Sequence, residues 1–482
     1  HTRLQGDWSS DVCSSDLQIE GQIFAAGMPV AALMEKAATL VAVRLQQQYP
    51  RSQFPRIGIL VGPGHNGGDA LVVARELHLQ GYQVVLYQPF EKLKDLTAQH
   101  AIYAQYLGIP CHRDLAPLQE CDFIADGLFG FGLERPLTGT VAAAIAQLNH
   151  WGKPIASIDI PSGLHTDTGE VLGTAVRASH TFCLGLWKLG FFQEQALDYL
   201  GQTERLDFGI PPAAVWAVIP QPATIQVMTQ AIARKLLPLK RPPSTHKYRQ
   251  GHLLLICGSR RYAGGAILTG LGARASGVGM LSLAVPESLK PLVVSHLPDA
   301  LTVGCPETTT GAIAELAPLA ADFSRYDAIA CGPGLTLEAI APVEAALTAA
   351  CPLVLDADGL NVLTQLGTVS SLAQRQFSTV LTPHAGEFKR LFPELPSLQH
   401  DRLETVQTAA ESSGATVLLK GGRTAIAAPD GSLWLIGEST PALARGGSGD
   451  VLTGLIGGLL AQTAGTNQPL AAIVAEIGRA HV

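Results

Sequence analysis

Three times between residues 56 and 163 a short, mainly apolar run stops at a turn of small and acidic residues. Ile57-Gly58-Ile59-Leu60-Val61 leads into Gly62-Pro63-Gly64-His65-Asn66-Gly67-Gly68-Asp69-Ala70. Phe123-Ile124-Ala125 ends at Asp126-Gly127-Leu128-Phe129-Gly130-Phe131-Gly132, and Pro154–Ile158 ends at Asp159-Ile160-Pro161-Ser162-Gly163. Apolar runs without alternation suit strands covered on both faces, as in a parallel sheet. With a helix to about Gln80 and a strand Gln83–Tyr87, the first run makes a βαβ unit whose glycine-rich crossover lies where such sheets hold phosphates. The spacing is not GxGxxG, so a plain dinucleotide fold is not the best match. One acid at a strand end is more often a cap or turn residue. Three on one edge point to a site.

Upstream, helical spacing runs from Ile23 to Leu45 and predicts one helix, closed by Pro50 and Pro55. A chain of 482 residues predicts two or three domains, and 47% hydrophobic against 15% charged residues allows large cores. A net charge of −7 argues against nucleic acid or an anionic membrane as partner. No apolar run reaches the roughly 18 to 20 residues of a membrane span. The eight cysteines show no CxxC pair or zinc spacing, which fits a reducing, cytoplasmic setting. The ends look foreign: residues 1–17 and 476–482 resemble translated sequencing adapter and are set aside from fold reasoning.

A second series begins with His246-Lys247-Tyr248-Arg249 and strand His252–Ile256, followed by the small-residue crossover Cys257–Ala266. Strands are expected at Leu281–Val285, Ala328–Cys331, Leu353–Leu355, Thr379–Leu381 and Thr416–Leu419. Their turns carry Gly332-Pro333-Gly334, Asp356-Ala357-Asp358, His384 with Glu387, and Lys420-Gly421-Gly422-Arg423-Thr424. Asp356 and Asp358 are weak candidates for a metal, and His384 is placed for a ligand rather than for core filling. Last comes Arg445-Gly446-Gly447-Ser448-Gly449-Asp450 before the apolar run Val451–Ile456. Its amides and helix dipole suit an anion, and Asp450 suits a base for an incoming hydroxyl. Taken alone, this loop is equally well a glycine turn that starts a helix. The expected domains are 18–222 and 223–475, with the join near 215–225.

From about Ile19 to Pro212 the motifs resemble the NAD(P)H-hydrate epimerase (YjeF N-terminal) domain. The resemblance implies a Rossmann-like domain that interconverts the R and S forms of hydrated NADH or NADPH. It implies K+ near Asn66, Asp126 and Ser162. Substrate would lie against His65, Asn66, Gly67, Gly68 and Asp69 and against Gly130, Phe131, Gly132, Leu133, Glu134, Arg135 and Pro136, with Asp159 at the reacting ring. His65 stands where that family usually has Asn, and Ala70 where it usually has Gly; the Ala70 methyl is expected to crowd the helix start.

From about Ala231 to Ala475 the order of motifs resembles the ADP- or ATP-dependent NAD(P)H-hydrate dehydratases of ribokinase-like fold. Position by position, Ala266, Gly334, His384 and Asp450 would contact the hydrated dinucleotide. Lys420, Gly421, Gly422, Arg423, Thr424 and Gly449 would hold ADP or ATP, with Mg2+ as cofactor. The chemistry implied is phosphorylation of the ring hydroxyl and loss of phosphate, with Asp450 as base. Ser439-Thr440-Pro441-Ala442-Leu443 departs from that family's Gly-Asn-Pro-Gly-Met run. That family continues beyond Ala475, so a formed loop on an incompletely supported helix is expected. The expectation is thus an α/β protein of two doubly wound domains, a fused repair enzyme forming a homo-oligomer, with hydrated NADH or NADPH and ADP or ATP as partners. The rival readings are a ribokinase-like kinase of a small hydroxylated vitamin precursor and a non-catalytic N-terminal binding module.

Overall fold

The computed structural model describes residues 12–219, 224–236, 241–437 and 439–464. The adapter-like residues 1–11 and 476–482, residues 220–223 of the expected join and the end of the second expected domain lie outside the described residues. The chain divides into two compact units on either side of residues 223 and 224.

In the first unit, α1 (Val12–Ala25) and α2 (Val30–Gln48) replace the single helix expected from Ile23 to Leu45. Pro29 sits in extended backbone at φ −67°, ψ 134°, lacks an N–H, and so starts a new helix. Residues 12–17, set aside as adapter-like, belong to α1, which buries Ile19 and Ile23. The strands are β1 (Arg56–Val61), β2 (Gln83–Tyr87), β3 (Cys111–His112), β4 (Phe123–Gly127), β5 (Ile155–Ile158), β6 (His180–Leu184) and β7 (Gln202–Leu206). Among the described residues they form one sheet ordered β3-β2-β1-β4-β5-β6-β7, parallel throughout. Val41 and Leu45 of α2 and Val72 and Leu77 of α3 (His65–Leu79) cover one face. Ile145 and Leu148 of helix Gly139–Trp151 join Leu60 and Ile124 on the other. Parallel strands put their C-terminal ends on one edge, so β1, β4 and β5 deliver His65, Asp126 and Asp159 to the same side.

The second unit holds β8 (Ile225–Val227), β9 (His252–Ile256), β10 (Met280–Pro286), β11 (Leu301–Cys305), β12 (Ala328–Cys331), β13 (Leu353–Leu355), β14 (Thr379–Leu381), β15 (Thr416–Leu419), β16 (Thr424–Ala427) and β17 (Leu433–Ile436). Their order is β11-β10-β9-β12-β13-β14-β15-β16-β17-β8. The part from β11 to β15 is parallel, β16 runs antiparallel to both β15 and β17, and β8 closes the edge parallel to β17. Helix Ser448–Thr463 packs on helix Ala263–Ser276 through glycines: a Cβ at Gly272 would strike the Val451 carbonyl, and one at Gly454 the Thr269 carbonyl. The helix behind the Asp450 loop buries Thr453 through Ala461, so within the described residues it is supported over most of its length. Among the described residues no helix is long and apolar enough to cross a membrane.

Candidate active sites

In the first unit a cavity of about 520 Å³ opens at the strand edge, lined among others by His65, Asn66, Asp69, Phe131, Asp159 and Lys188. Asp159 follows β5 in the left-handed region at φ 70°, a strained setting for a residue with a Cβ. Its Oδ1 meets Lys188 Nζ at 3.0 Å and accepts from the Leu184 amide at 3.3 Å, and Oδ2 accepts from the Phe131 amide at 3.2 Å. Asp126 is fully buried and accepts from Ser157 Oγ, the Ser162 amide and Ser162 Oγ at 2.9, 2.9 and 2.6 Å. Burial pushes its carboxyl above the usual range, and the serine donors oppose that. Asp69 is pushed well up, first by burial and then by the charges of Asp159 and Glu20. Burial and nearby Lys94 push the His65 imidazole down. The amide oxygen and nitrogen of Asn66 are buried without a hydrogen-bond partner among the described residues.

Gly130, Gly132 and Leu133 also line this cavity, whereas Glu134, Arg135 and Pro136 stand exposed beyond it. Gly67 and Gly68 do not line it: Gly67 lies against the Gly62 backbone and Gly68 against Met34, so they support the first turn of α3 from beneath. The expected crowding by Ala70 does not arise, because its methyl faces Gly127, which has no side chain there.

In the second unit three turns meet. Asp356, buried after β13, places Oδ1 2.8 Å from Lys420 Nζ and accepts from Thr453 Oγ1 at Oδ2 at 2.6 Å. Arg402 Nη2 donates to the carbonyls of Leu419 and Lys420 at 3.1 and 3.2 Å, which fixes the Lys420 turn. Gly447 at φ 90° opens helix Ser448–Thr463 from a left-handed N-cap. A Cβ at Gly449 would lie 3.5 Å from Lys420 Nζ, so the cation sits over the helix N-terminus beside Asp450. Burial and the Asp356 charge push the Asp450 carboxyl up, and Lys420 opposes this.

His384 caps helix Ala385–Leu391: its Nδ1 accepts from the amides of Gly386 and Glu387 at 3.0 and 3.3 Å. Its side chain is 57% exposed, so a ligand can still reach the ring. Gly334 approaches Tyr262 and Gly258 in the neighbouring crossover. Ala266 has no accessible surface and packs beneath Gly258, which corrects its expected ligand contact to a supporting role. Gly421 and Gly422 form the exposed tip of the Lys420 turn, and Arg423 is half-buried, its guanidinium pKa pushed down by burial. Thr424 is buried in β16 and supports the turn from within the sheet. The candidate metal ligands Asp356 and Asp358 are occupied by protein donors, Asp358 by the Thr336 amide at 3.0 Å and by Asn361. Among the described residues no group of three or more His, Cys, Asp or Glu side chains is placed to hold a metal ion.

Sequence reading missed Lys188, Thr453 and Arg402 as site residues. Lys188 had a signal: it is the one charge in the apolar stretch Leu184–Phe192. Thr453 joins Asp356 from 97 positions away and had none. Thr453→Val keeps the shape but leaves Asp356 Oδ2 without that donor. It is expected to destabilise the second unit by about 1–3 kcal/mol, read as a lower thermal midpoint; an unchanged midpoint would show that water replaces the hydroxyl.

A family model described as NAD(P)H-hydrate dehydratase matches residues 253–481, and one described as YjeF-related protein N-terminus matches residues 30–190. The chain is 58% identical to the bifunctional NAD(P)H-hydrate repair enzyme Nnr of Synechocystis sp. over 92% of this chain and 84% of that protein. It is 55% identical to the enzyme of the same name from Thermosynechococcus vestitus, over 94% and 88%. Among solved structures, an ADP/ATP-dependent NAD(P)H-hydrate dehydratase from Bacillus subtilis, co-crystallised with ATP/Mg2+, is 34% identical over 52% of this chain and 86% of that one, with a TM-score of 0.44. Both family models fall on this chain in the order of its two units, and the match to the curated relatives spans both; the chain belongs to the family of bifunctional NAD(P)H-hydrate repair enzymes.

Proposed function

We propose that Asp159 is the proton acceptor of the epimerase unit and Asp450 that of the dehydratase unit, each at the strand edge of its own sheet. Support for the first is the pocket-facing carboxylate of Asp159, held by one cation and two amides. The hydrate carries a hydroxyl on the carbon next to the ring nitrogen. Asp159 takes the hydroxyl proton, the C–O bond becomes a carbonyl, and the carbon–nitrogen bond opens with its electron pair going to nitrogen. Reclosure on the other face and return of the proton give the other epimer. The partnerless amide of Asn66, the buried carboxylate of Asp126 and Ser162 Oγ form an oxygen-rich set that fits K+. Bound there, the ion would offset substrate phosphate charge; His65 remains free to donate to a phosphate oxygen.

In the second unit, Asp450 takes the proton of the substrate hydroxyl, which attacks the terminal phosphoryl group of ADP or ATP. Lys420 and the amides at the start of helix Ser448–Thr463 stabilise the charge that develops. The C–O bond to phosphate then breaks with its electron pair leaving on phosphate, a far better leaving group than hydroxide, and the neighbouring ring carbon gives up a proton to water to restore the ring double bond. Among the described residues no acidic cluster forms a cage for Mg2+, which is the usual situation for an ion carried by nucleotide phosphates. The full chain with ADP or ATP is expected to restore all of a mixed R and S hydrate to NAD(P)H, followed by absorbance. Consumption of the S form alone would overturn the epimerase assignment.

A further inference from the structure

We infer that Lys188 is a positioning residue for epimerisation, acting through Asp159; this rests on Asp159 being the proton acceptor. Lys188 is 2% exposed, yet its ammonium is aimed at a ligand cavity and not at the core. The protein acceptors around it include Asp159 Oδ1 at 3.0 Å, the Leu184 carbonyl at 2.7 Å and the Leu186 carbonyl at 3.1 Å. One carbonyl ends β6 and the other lies in the turn that follows it, and the Leu184 amide donates to the same Asp159 oxygen. Lys188 therefore ties the carboxylate to one rigid turn. Oδ2, held from the other side by the Phe131 amide, faces the cavity past Gly130. The Phe131 ring lies 5.7 Å from the ammonium and covers it.

A buried ion pair is weak evidence for a stability role, because desolvation offsets most of its attraction. Here the pair also holds a non-glycine residue at φ 70°, and strain of that kind persists where the surroundings over-determine it. The charges around Asp159 make the pairing necessary. Asp69 from α3 and Glu20 from α1 line the same cavity, so three acids crowd together there. His65 and Lys94 line it too, and Lys94 acts on His65. Lys188 brings an opposite charge into this acid-rich cavity and holds the Asp159 carboxylate in one orientation.

The test uses the full chain and pure S hydrate, with R and S separated by chromatography over time. Lys188→Met is expected to lower kcat roughly tenfold or more while leaving KM within about twofold. The acid limb of its kcat–pH profile should move up by about one unit, since a carboxylate without its cation gains a proton at higher pH. Lys188→Arg keeps the charge and should restore the limb and most of kcat. If the Met variant does not accumulate folded, Lys188→Gln supplies a donor to the carbonyls without the charge and reads the same quantities. An unmoved acid limb, a loss carried by KM, or an Arg variant no better than Met would overturn the inference. Asp159→Asn separates the two levels: retained epimerisation there removes the proton-acceptor reading itself, whereas its loss alongside an unmoved Lys188→Met limb removes only the role of Lys188.

Discussion

Asp450→Asn is expected to lower nucleotide-dependent dehydration by about 10²–10⁴-fold, the usual contribution of a positioned base. The substitution keeps the size of the side chain at the start of helix Ser448–Thr463 and removes only its capacity to take a proton. KM for ADP or ATP should change little, because Lys420 and the helix amides remain. The wild-type profile carries a second signature. Burial and Asp356 raise the Asp450 pKa, so the carboxylate is lost at a higher pH than an ordinary aspartate as acid is added. Dehydration should therefore fall on an acid limb above the usual aspartate range, and that limb should be absent from the residual activity of the Asn variant. A loss of less than tenfold would move the base elsewhere.

Gly332→Ala is expected to be the most damaging single-methyl change at the second site. Gly332 ends β12 at φ 136°, and a Cβ there would fall within the carbonyl of Asp356, with the Gly359 amide 2.9 Å away. Left-handed strain of about 1–3 kcal/mol adds to overpacking of about 1–3 kcal/mol. Relief requires the Asp356 turn to move, and with it the carboxylate that holds Lys420 and Thr453. Dehydration should be lost together with a clear drop in the unfolding midpoint, while R–S interconversion persists. Wild-type dehydration in this variant would mean that the turn is softer than its contacts indicate.

β3, β6, β8 and β11 were not foreseen, but most of the other parallel strands were legible because each is a short apolar run that ends in a turn; Gln83–Tyr87, His252–Ile256 and Thr416–Leu419 match residue for residue. β7 was not, since Gln202-Thr203-Glu204-Arg205-Leu206 is an edge strand with mostly polar side chains. The antiparallel β16 and β17 were missed because the Lys420 turn was read only as a ligand loop. At the sites, residues on strand-end turns stood out. The partners that orient them did not: Lys188, Thr453 and Arg402 act across pairings that only the fold creates. Ala266 shows the converse, a position carried over by likeness whose side chain the sheet buries.

The edge strand β8 bears on how this protein is made and cut. Ile225–Val227 precedes every other strand of its sheet in the chain, yet pairs with Leu433–Leu435 of the strand that follows all the others among the described residues. Until β17 is made, β8 has no strand to pair with, and its unpaired edge is an aggregation hazard during synthesis. A second half cut at residue 241, just before the Arg241-Pro242-Pro243 stretch, would lack β8 and leave the facing edge of β17 exposed permanently. A cut at 224 would keep the strand that covers it.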